Sequence, residues 1–444
     1  MTGLADNARI DPRPNILFIM ADDFGFADAS CYGRRDYATP SIDRLAAEGV
    51  RLTQAYANSA VCSATRCALM TGRYQYRLPV GLEEPIAGRD VGLPPDHPTL
   101  PGLLRAAGYA TTLVGKWHLG LLPKYGPLKS GYERFFGCRT GVVDYFRHTS
   151  SGHKHDLWDQ DELVHRQGYI TNLLGDRAVA AVGRHAAEPR PFLLSLHFTA
   201  PHWPWEGPDD EAESQRLIGK PLHHFDGGTL ATYARIVARM DMQIGRVLDA
   251  LDANGLAENT IVVFTSDNGG ERFSDTWPFT GKKSELLEGG LRIPALLRWP
   301  LRISPGVCEQ VTATMDWLPT LLAAAGAAPD PGYPPDGIDL LALLAPGAVP
   351  VPRRLFWRFK AHAQRAVRDG DWKLLEIAGN SFLFDIAADP LERANLKERH
   401  RAVYDRLASA YAAWEATMLP LDPASFTLAF SGAQLADHFG VSAG

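Results

Sequence analysis

Cysteine is scarce in this sequence, and the few cysteines form no framework. Five of them are scattered over 444 residues, at Cys31, Cys62, Cys67, Cys138 and Cys308. An odd and widely spaced set matches neither a disulfide-stapled secreted domain nor a zinc knuckle. This absence favours free thiols and therefore a reducing compartment.

Segments that would direct the chain to a membrane are also missing. The residues before Ile16 are polar and hold no apolar stretch of the kind found in a secretory signal. No later apolar run reaches the roughly 20 residues that a membrane-spanning helix needs. We therefore predict a cytoplasmic protein without a membrane partner.

The sequence also lacks an excess of basic residues. The 45 lysine and arginine residues are outnumbered by 51 acidic residues, which gives a net charge of −6. That balance argues against a nucleic-acid-binding protein, which needs a basic surface, but it allows a small anionic substrate. The length and the 45% hydrophobic content are typical of a globular chain with a large and a smaller domain. The oligomeric state is left open.

Short apolar runs alternate with helical patterns along most of the chain. Four predicted strands matter most here, over residues 15–20, 110–114, 192–198 and 260–265. The helix before the last of them is predicted to end at Asn254-Gly255, a typical C-cap pair. Strands that alternate with helices predict an α/β fold, with a large, mostly parallel sheet and helices on both faces.

A stretch rich in proline and glycine, residues 329–352, interrupts this alternation. Short strand-like pieces follow at 365–367, 372–377 and 382–384, and a final helix is predicted near 401–418. We therefore predict a large α/β domain over residues 1–345 and a small C-terminal α+β domain over residues 346–444. Its tail, from Leu419 onward, is apolar enough to dock on the rest of the chain.

Polar clusters directly follow the four strands. In an open α/β sheet, ligands bind outside the carboxyl ends of the strands, so acids, amides, imidazoles and ammonium groups should meet at one edge. This is the composition of an active site. The clusters are Asp22-Asp23, Lys116-Trp117-His118, Pro201-His202 and Asp267-Asn268-Gly269.

Two of these clusters predict a metal site. Asp22, Asp23, Asp267 and Asn268 offer only oxygen ligands, which suit Ca²⁺, Mg²⁺ or Mn²⁺. Each pair alone could equally be a helix cap or a turn. Both pairs at strand ends, with basic residues nearby, favour the metal.

The segment around Cys62 carries a more specific pattern. It reads Cys62-Ser63-Ala64-Thr65-Arg66 and continues to Thr71-Gly72-Arg73. This resembles the Cys-x-Pro/Ala-x-Arg signature of the formylglycine-dependent sulfatases, in which the cysteine is oxidised to an aldehyde that hydrates to a geminal diol. Ala64 stands where proline is commoner in the family. The other four cysteines are better explained as small buried hydrophobic residues.

The resemblance extends over nearly the whole chain. It includes residues 14–23, 39–45, 115–120, 267–269, 288–294, 368–374 and 383–390, and the 131–158 region looks most like the arylsulfatase A and B branch. It implies an alkaline-phosphatase-like fold, in which helices sandwich a large, mostly parallel sheet and a small α+β domain follows. It also implies hydrolysis of sulfate esters, one divalent metal with Ca²⁺ as the expected ion, and a maturase that converts Cys62 to formylglycine.

The resemblance also implies a role for each site residue. The metal is held by Asp22, Asp23, Asp267 and Asn268 and binds one hydroxyl of the Cys62-derived diol. Arg66 holds the diol in position. Lys116 and Lys283 bind the sulfate oxygens, His202 protonates the leaving alcohol, and His118 deprotonates the second hydroxyl so that sulfate is released. A serine ester lacks that second hydroxyl, which explains the need for the modification.

Several of these assignments have simpler alternatives. Lys116 and His118 could form a polar turn, His202 could be packed in a rigid loop, and Lys282 competes with Lys283. His197 is better explained as a core residue. The remaining candidates for a substrate pocket could equally be structural: His148, His153, His155, Trp203, Trp205 and Trp277.

Two other functions compete with sulfate ester hydrolysis. A phosphonate or phosphate ester hydrolase of the same superfamily would share the metal ligands, and relative rates on matched esters would separate the two. A binding protein without activity is the other alternative, but every expected catalytic position holds a competent residue type. The natural substrate is left open among aryl sulfates, sulfated sugars and small alkyl sulfates.

Overall fold

Strands and helices alternate through the first three hundred or so residues of this computed structural model, which describes residues 12–85, 89–345 and 347–427. The described strands are β1 (Asn15–Ala21), β2 (Val50–Leu52), β3 (Ala55–Tyr56), β4 (Ala110–Gly115), β5 (Arg134–Gly137), β6 (Trp158–Asp159), β7 (Glu162–Leu163), β8 (Phe192–His197), β9 (Thr260–Ser266), β10 (Ala295–Arg298), β11 (Gly306–Cys308), β12 (Thr312–Ala313), β13 (Arg354–Phe359), β14 (Gln364–Asp369), β15 (Trp372–Ile377) and β16 (Asn380–Asp385). The described helices are α1 (Pro40–Glu48), α2 (Cys62–Thr71), α3 (Leu100–Ala106), α4 (Ile170–Ala186), α5 (Glu211–Arg216), α6 (Leu230–Ala253), α7 (Glu288–Leu291), α8 (Trp317–Ala324) and α9 (Arg401–Glu415).

A large sheet forms the centre of the fold. Its strand order is β11-β2-β10-β9-β1-β8-β4-β5-β6-β7. The central strands β9, β1, β8, β4 and β5 run parallel, whereas β10 and β6 pair antiparallel with their neighbours on either side. The predicted α/β architecture, with a large and mostly parallel sheet, is therefore confirmed.

Both faces of this sheet are buried, because successive side chains of a strand point to opposite sides. In β1, Leu17 and Ile19 pack into one apolar core, whereas Phe18 and Met20 pack into the other. Helices α4 and α6 cover the first face, and α3 and α8 cover the second. Continuous apolar strands such as this one are typical of a sheet sandwiched between helices.

The four predicted strands end within one residue of the observed ones. The structure extends three of them by a single residue and ends the 192–198 strand at His197. Helix α6 ends at Ala253, and Asn254 caps it before Gly255 turns at a φ of 67°. The predicted helix end at this pair is confirmed.

A small antiparallel sheet of β13, β14, β15 and β16 follows the proline-rich stretch, and α9 packs against it. The three predicted pieces correspond to β14, β15 and β16. Strand β13 was not predicted, and the predicted last helix was three residues too long at its C-terminus, because α9 ends at Glu415. The domain boundary proposed at 345/346 stays a prediction, since residue 346 lies outside the described residues.

The predicted tail begins to dock as soon as α9 has ended. Leu419 donates its backbone N–H to Tyr76 O, and Phe426 accepts one from Glu84 N. The rest of the tail, residues 428–444, lies outside the described residues. Within the described part of the chain, no helix combines the length and apolar character needed to cross a lipid bilayer.

Candidate active site

Loops that follow β9, β1, β8 and β4 meet at one edge of the large sheet, because these neighbouring strands are parallel. The loop after β1 is tied to the two beside it. Asp22 N donates to Ala200 O over 3.0 Å, and Asp23 N donates to Asp267 Oδ1 over 3.2 Å. The four polar clusters that follow the strands in sequence therefore meet in space, as predicted.

Cys62 reaches the same place from a helix start. It is the first residue of α2, it is 4% exposed, and its Sγ lies 3.8 Å from Asp23 Oδ1. A helix N-terminus carries a partial positive charge that stabilises a nearby anion. Burial nevertheless raises the pKa of the Cys62 thiol well above its ordinary value, although Lys116 and Lys283 lower it. The unmodified thiol is therefore protonated at neutral pH and a poor nucleophile.

Three carboxylates of the site are each paired with a cationic side chain. Lys116 Nζ lies 2.6 Å from Asp22 Oδ2, and Lys283 Nζ lies 2.7 Å from Asp23 Oδ2. Arg66 contacts Asp267 Oδ2 through two nitrogens, at 2.8 and 3.0 Å. Burial opposes every one of these charges, yet the pairing raises the pKa of Lys116, Lys283 and Arg66. Positive and negative side chains are therefore equal in number here.

Two buried oxygens in this cluster accept no hydrogen bond from any residue that the structure describes. They are Asp22 Oδ1 and Asn268 Oδ1. The amide nitrogen of Asn268 is already used, because it donates to Asp23 Oδ1 over 2.7 Å. Unsatisfied buried oxygens are costly unless a ligand completes them. The donor set therefore fits a hard divalent cation, and ligand atoms of Asp22, Asp23, Cys62 and His202 lie within 4.8 Å of one another. His202 was not predicted to belong to this group.

The hydrogen bonds of His202 define its tautomer. Its Nδ1 lies 2.6 Å from Trp203 O, which can only accept, so Nδ1 carries the hydrogen. Its Nε2 is then an acceptor, and Lys283 Nζ donates to it over 3.1 Å. Burial, Lys283 and Lys116 lower the pKa of this imidazole well below its ordinary value. The free site therefore holds a neutral histidine beside a charged lysine.

His118 lies in the same site and is held by its backbone. Its φ of 55° is in the left-handed region, and its ring lies against Gly141, where a Cβ would approach a ring carbon to 2.4 Å. Its Nδ1 is buried and has no hydrogen-bond partner. Burial, followed by Lys116 and Arg66, lowers its pKa well below the ordinary value. A neutral imidazole of this kind can accept a proton.

The structure shows which of Lys282 and Lys283 lies in the site, and where His197 lies. Lys283 Nζ lies in the cluster, whereas Lys282 Nζ lies 3.4 Å from Arg272 O. His197 is a buried residue of β8, as predicted, but it also contacts Arg66, with 3.4 Å between Nδ1 and the guanidinium. That contact was not predicted. The position of His197, at the end of a strand that leads into the active site, could have indicated it.

The predicted pocket residues fall into three groups. His148 and His155 bond backbone carbonyls of the 164–168 segment, at 2.9 and 2.8 Å, and are therefore structural. His153 is exposed and Trp277 is 66% exposed, whereas Trp203 and Trp205 are buried.

A stack of rings leads outward from His202 past Trp203. Trp203 packs against His202 and stacks on His223, with 4.3 Å between ring centroids in both cases, and His223 stacks on the partly exposed Phe225. Neither His223 nor Phe225 was predicted, because no motif surrounds them.

The carboxyl edge of this α/β sheet brings together buried carboxylate and amide oxygens, a cysteine at a helix start, lysines and histidines. This arrangement is typical of a hydrolase of anionic esters. Known proteins narrow this class. The family model described as Sulfatase matches residues 14–327. Steryl-sulfatase of Mus musculus is 32% identical, over 92% of this chain and 83% of its own length. N-acetylgalactosamine-6-sulfatase of Canis lupus familiaris is 33% identical, over 81% of this chain and 71% of its own.

A solved structure agrees with these relatives. The crystal structure of Ps i-CgsB in complex with k-i-k-neocarrahexaose superposes with a TM-score of 0.82 at 29% identity, covering 93% of this chain and 95% of the other. The chain belongs to the sulfatase family and is an enzyme that hydrolyses sulfate esters. A divalent metal and a formylglycine nucleophile are general features of that family.

Proposed function

We propose that this sulfatase cleaves sulfate monoesters with a formylglycine made from Cys62. The observation that supports this most is the placement of Cys62 at the start of α2, 3.8 Å from Asp23 Oδ1, within the Cys-x-Ala-x-Arg segment. The oxidation is supplied by a separate maturase. A cytoplasmic location, predicted from the sequence, would require that maturase in the same compartment, and cell fractionation would test it.

We propose Ca²⁺ as the metal, with Mg²⁺ and Mn²⁺ as the alternatives. Asp22, Asp23, Asp267 and Asn268 would hold it, and it would supply Lewis acidity to the sulfate and to the nucleophile. Because the carboxylates would then be neutralised by the cation, Lys116 and Lys283 would be released from their ion pairs to bind an anion. The cluster pairs three acidic with three basic side chains. A cation that binds the acidic side chains would therefore leave the basic ones without partners.

We propose that Lys116 and Lys283 bind the sulfate oxygens and that Arg66 holds the nucleophile in place. Lys283 donates to His202 Nε2 in the free site. We propose that Lys283 passes this proton to Nε2, which carries none in the neutral tautomer, and that Nε2 then gives it to the leaving oxygen. His118, neutral and with a free Nδ1, takes the proton whose removal frees the sulfate.

The leaving group tests the role of His202. We expect His202→Ala to slow hydrolysis of an alkyl sulfate by about 10³-fold, but of 4-nitrophenyl sulfate by only about tenfold, because nitrophenolate leaves without a proton. Steady-state kcat on both esters is the measurement. His165→Ala, at an exposed histidine, is the control and should change neither rate. Equal losses on both esters would refute the assignment.

We further propose that the ring of the leaving group lies against the stack of Trp203, His223 and Phe225. Relatives named for steroid and amino-sugar sulfates support a substrate with a ring. Phe225 is the most exposed member, at 44%, so it is the ring on which a substrate ring would stack.

Truncation of this exposed ring gives a second test. Phe225→Ala should raise KM for an aryl or sugar sulfate by about tenfold and leave methyl sulfate within about twofold, since only the larger substrates have a ring to stack. Leu301→Ala is the matched control, because Leu301 is also exposed and its backbone bonds Glu258 at the opposite edge of the sheet. A similar rise in KM for methyl sulfate would contradict the proposed stacking.

A further inference from the structure

Lys283 lies on a loop that is joined to both neighbouring parts of the active site. Its backbone N–H donates to Gly270 O over 3.0 Å, in the loop that carries Asp267. The next residue, Ser284, donates to Ala60 O over 2.9 Å, two residues before Cys62. These bonds fix where the Lys283 backbone enters the site, but not how the chain turns afterwards.

The turn after Lys283 is conformationally unfavourable. Ser284 has a φ of 71°, in the left-handed region that is sterically unfavourable for a residue with a Cβ. Such a conformation persists only where surrounding contacts hold it. The contacts should therefore be found on the residues immediately after Lys283.

Glu285 N closes the turn itself by donating to Lys282 O, and one side chain from the small sheet provides two further contacts. Gln364, the first residue of β14, is 1% exposed. Its Nε2 donates to Ser284 O over 2.8 Å, and its Oε1 accepts the Leu286 N–H over 2.8 Å. A side-chain amide can donate to one of these groups and accept from the other at the same time, because it carries both an NH2 group and a carbonyl oxygen. Gln364 therefore brackets the turn on both sides.

The far end of the loop is anchored to the same small domain by buried charges. Glu288 N donates to Glu392 Oε2 over 2.6 Å, and Glu288 Oε1 lies 3.0 Å from Lys373 Nζ. Lys373 also pairs with Glu392 at 2.9 Å, and all three side chains are buried. Both ends of the 284–288 segment are thus held by residues from beyond the proline-rich stretch.

We propose that Gln364 is a positioning residue for Lys283: the small sheet, through this one amide, sets where Lys283 Nζ stands relative to Asp23 and His202. The inference rests on the role proposed above for Lys283 in binding sulfate. It gives the C-terminal sheet a part in catalysis, although none of its strands supplies a residue to the cluster of carboxylates and lysines in the described chain.

A double-mutant cycle tests this in the full-length, formylglycine-containing enzyme. Gln364→Met keeps the size of the side chain but removes the hydrogen bonds of its amide to Ser284, Leu286 and Ala361. The kcat/KM on an aryl sulfate should therefore fall by about 10- to 100-fold, and the inhibition constant for inorganic sulfate should rise. In a Lys283→Ala background the same change should matter by less than about twofold, because the residue that it positions is gone.

Two further variants separate positioning from a general loss of stability. Val367→Ala removes a buried apolar contact three residues further along the same strand and leaves the Gln364 amide in place; it should lower Tm but leave kcat/KM within about twofold. Ser284→Gly, which relieves the left-handed strain, should restore part of the activity of Gln364→Met and remains informative if that variant folds poorly.

Each outcome bears on a different claim. If Gln364→Met costs the same factor with and without Lys283, or costs nothing, the positioning role is wrong. If Val367→Ala lowers kcat/KM as much as Gln364→Met, the effect belongs to the stability of the small sheet and the inference also fails. If Lys283→Ala itself keeps wild-type activity and sulfate inhibition, the role proposed for Lys283 falls first and this inference falls with it.

Discussion

Cys62→Ala should lower kcat for an aryl sulfate by at least about 10⁴-fold, because removal of a covalent nucleophile leaves only the contributions of substrate binding and charge stabilisation. Metal content and Tm should stay near those of the wild-type enzyme, since the other ligands remain. The matched control is Cys67→Ala in the same helix, because Cys67 is fully buried and belongs to the apolar core. Cys67→Ala should lose stability and keep its activity.

The chemical state of Cys62 is read from the same samples. Trypsin releases residues 52–66, a peptide in which Cys62 is the single cysteine. Conversion of the thiol-bearing side chain to an aldehyde lowers the peptide mass by about 18 Da. We expect activity to scale with the converted fraction across preparations made with and without a maturase. An unconverted sample with full activity would contradict the formylglycine mechanism.

Removal of the metal should abolish turnover in the same way. Without a cation, the carboxylates of the site recover their pairing with Lys116, Lys283 and Arg66, and these groups are then unavailable to the sulfate. Chelation should lower kcat/KM by at least about 10³-fold, and addition of the right cation should restore it and raise Tm. Titration with Ca²⁺, Mg²⁺ and Mn²⁺ in turn would identify the ion.

Asn268→Leu tests one proposed metal ligand, because it removes one oxygen atom without changing the charge of the site. Metal affinity should fall by at least about tenfold, and excess metal should recover part of the activity. Asp28→Asn is the control: Asp28 is just as buried and follows the neighbouring strand β1, but its partners are Arg34, Tyr233 and Ser274. That change should lower Tm and leave metal content intact. Unaltered metal affinity in Asn268→Leu would remove Asn268 from the ligand set.

Much of the fold and many of the site residues followed from the sequence, for a physical reason. Strands such as β1 and β9 are continuous apolar runs, and such runs are typical of strands that are buried on both faces of a sheet. Since neighbouring parallel strands end at one edge, the polar residues directly after them had to meet there. These patterns involve residues that are close together in the sequence, so they can be recognised without the structure.

Other features could not be predicted in this way. Strand β13 begins directly after the proline-rich stretch and was not recognised. His223 and Phe225 were missed because they reach the site from a loop without a motif, and their role depends on rings contributed by distant segments. Gln364 was missed for a similar reason, since it acts on Ser284 and Leu286 from 80 and 78 positions away.

The sequence by itself determined the reaction class and the inventory of reacting groups: a modifiable cysteine, oxygen ligands, lysines and histidines. Only the tertiary structure decided how these groups are paired, with Lys116 on Asp22, Lys283 on Asp23 and His202, and Arg66 on Asp267. The reason is that Coulomb interactions depend on distance and burial, and both are set by the packing of segments that are far apart in the chain.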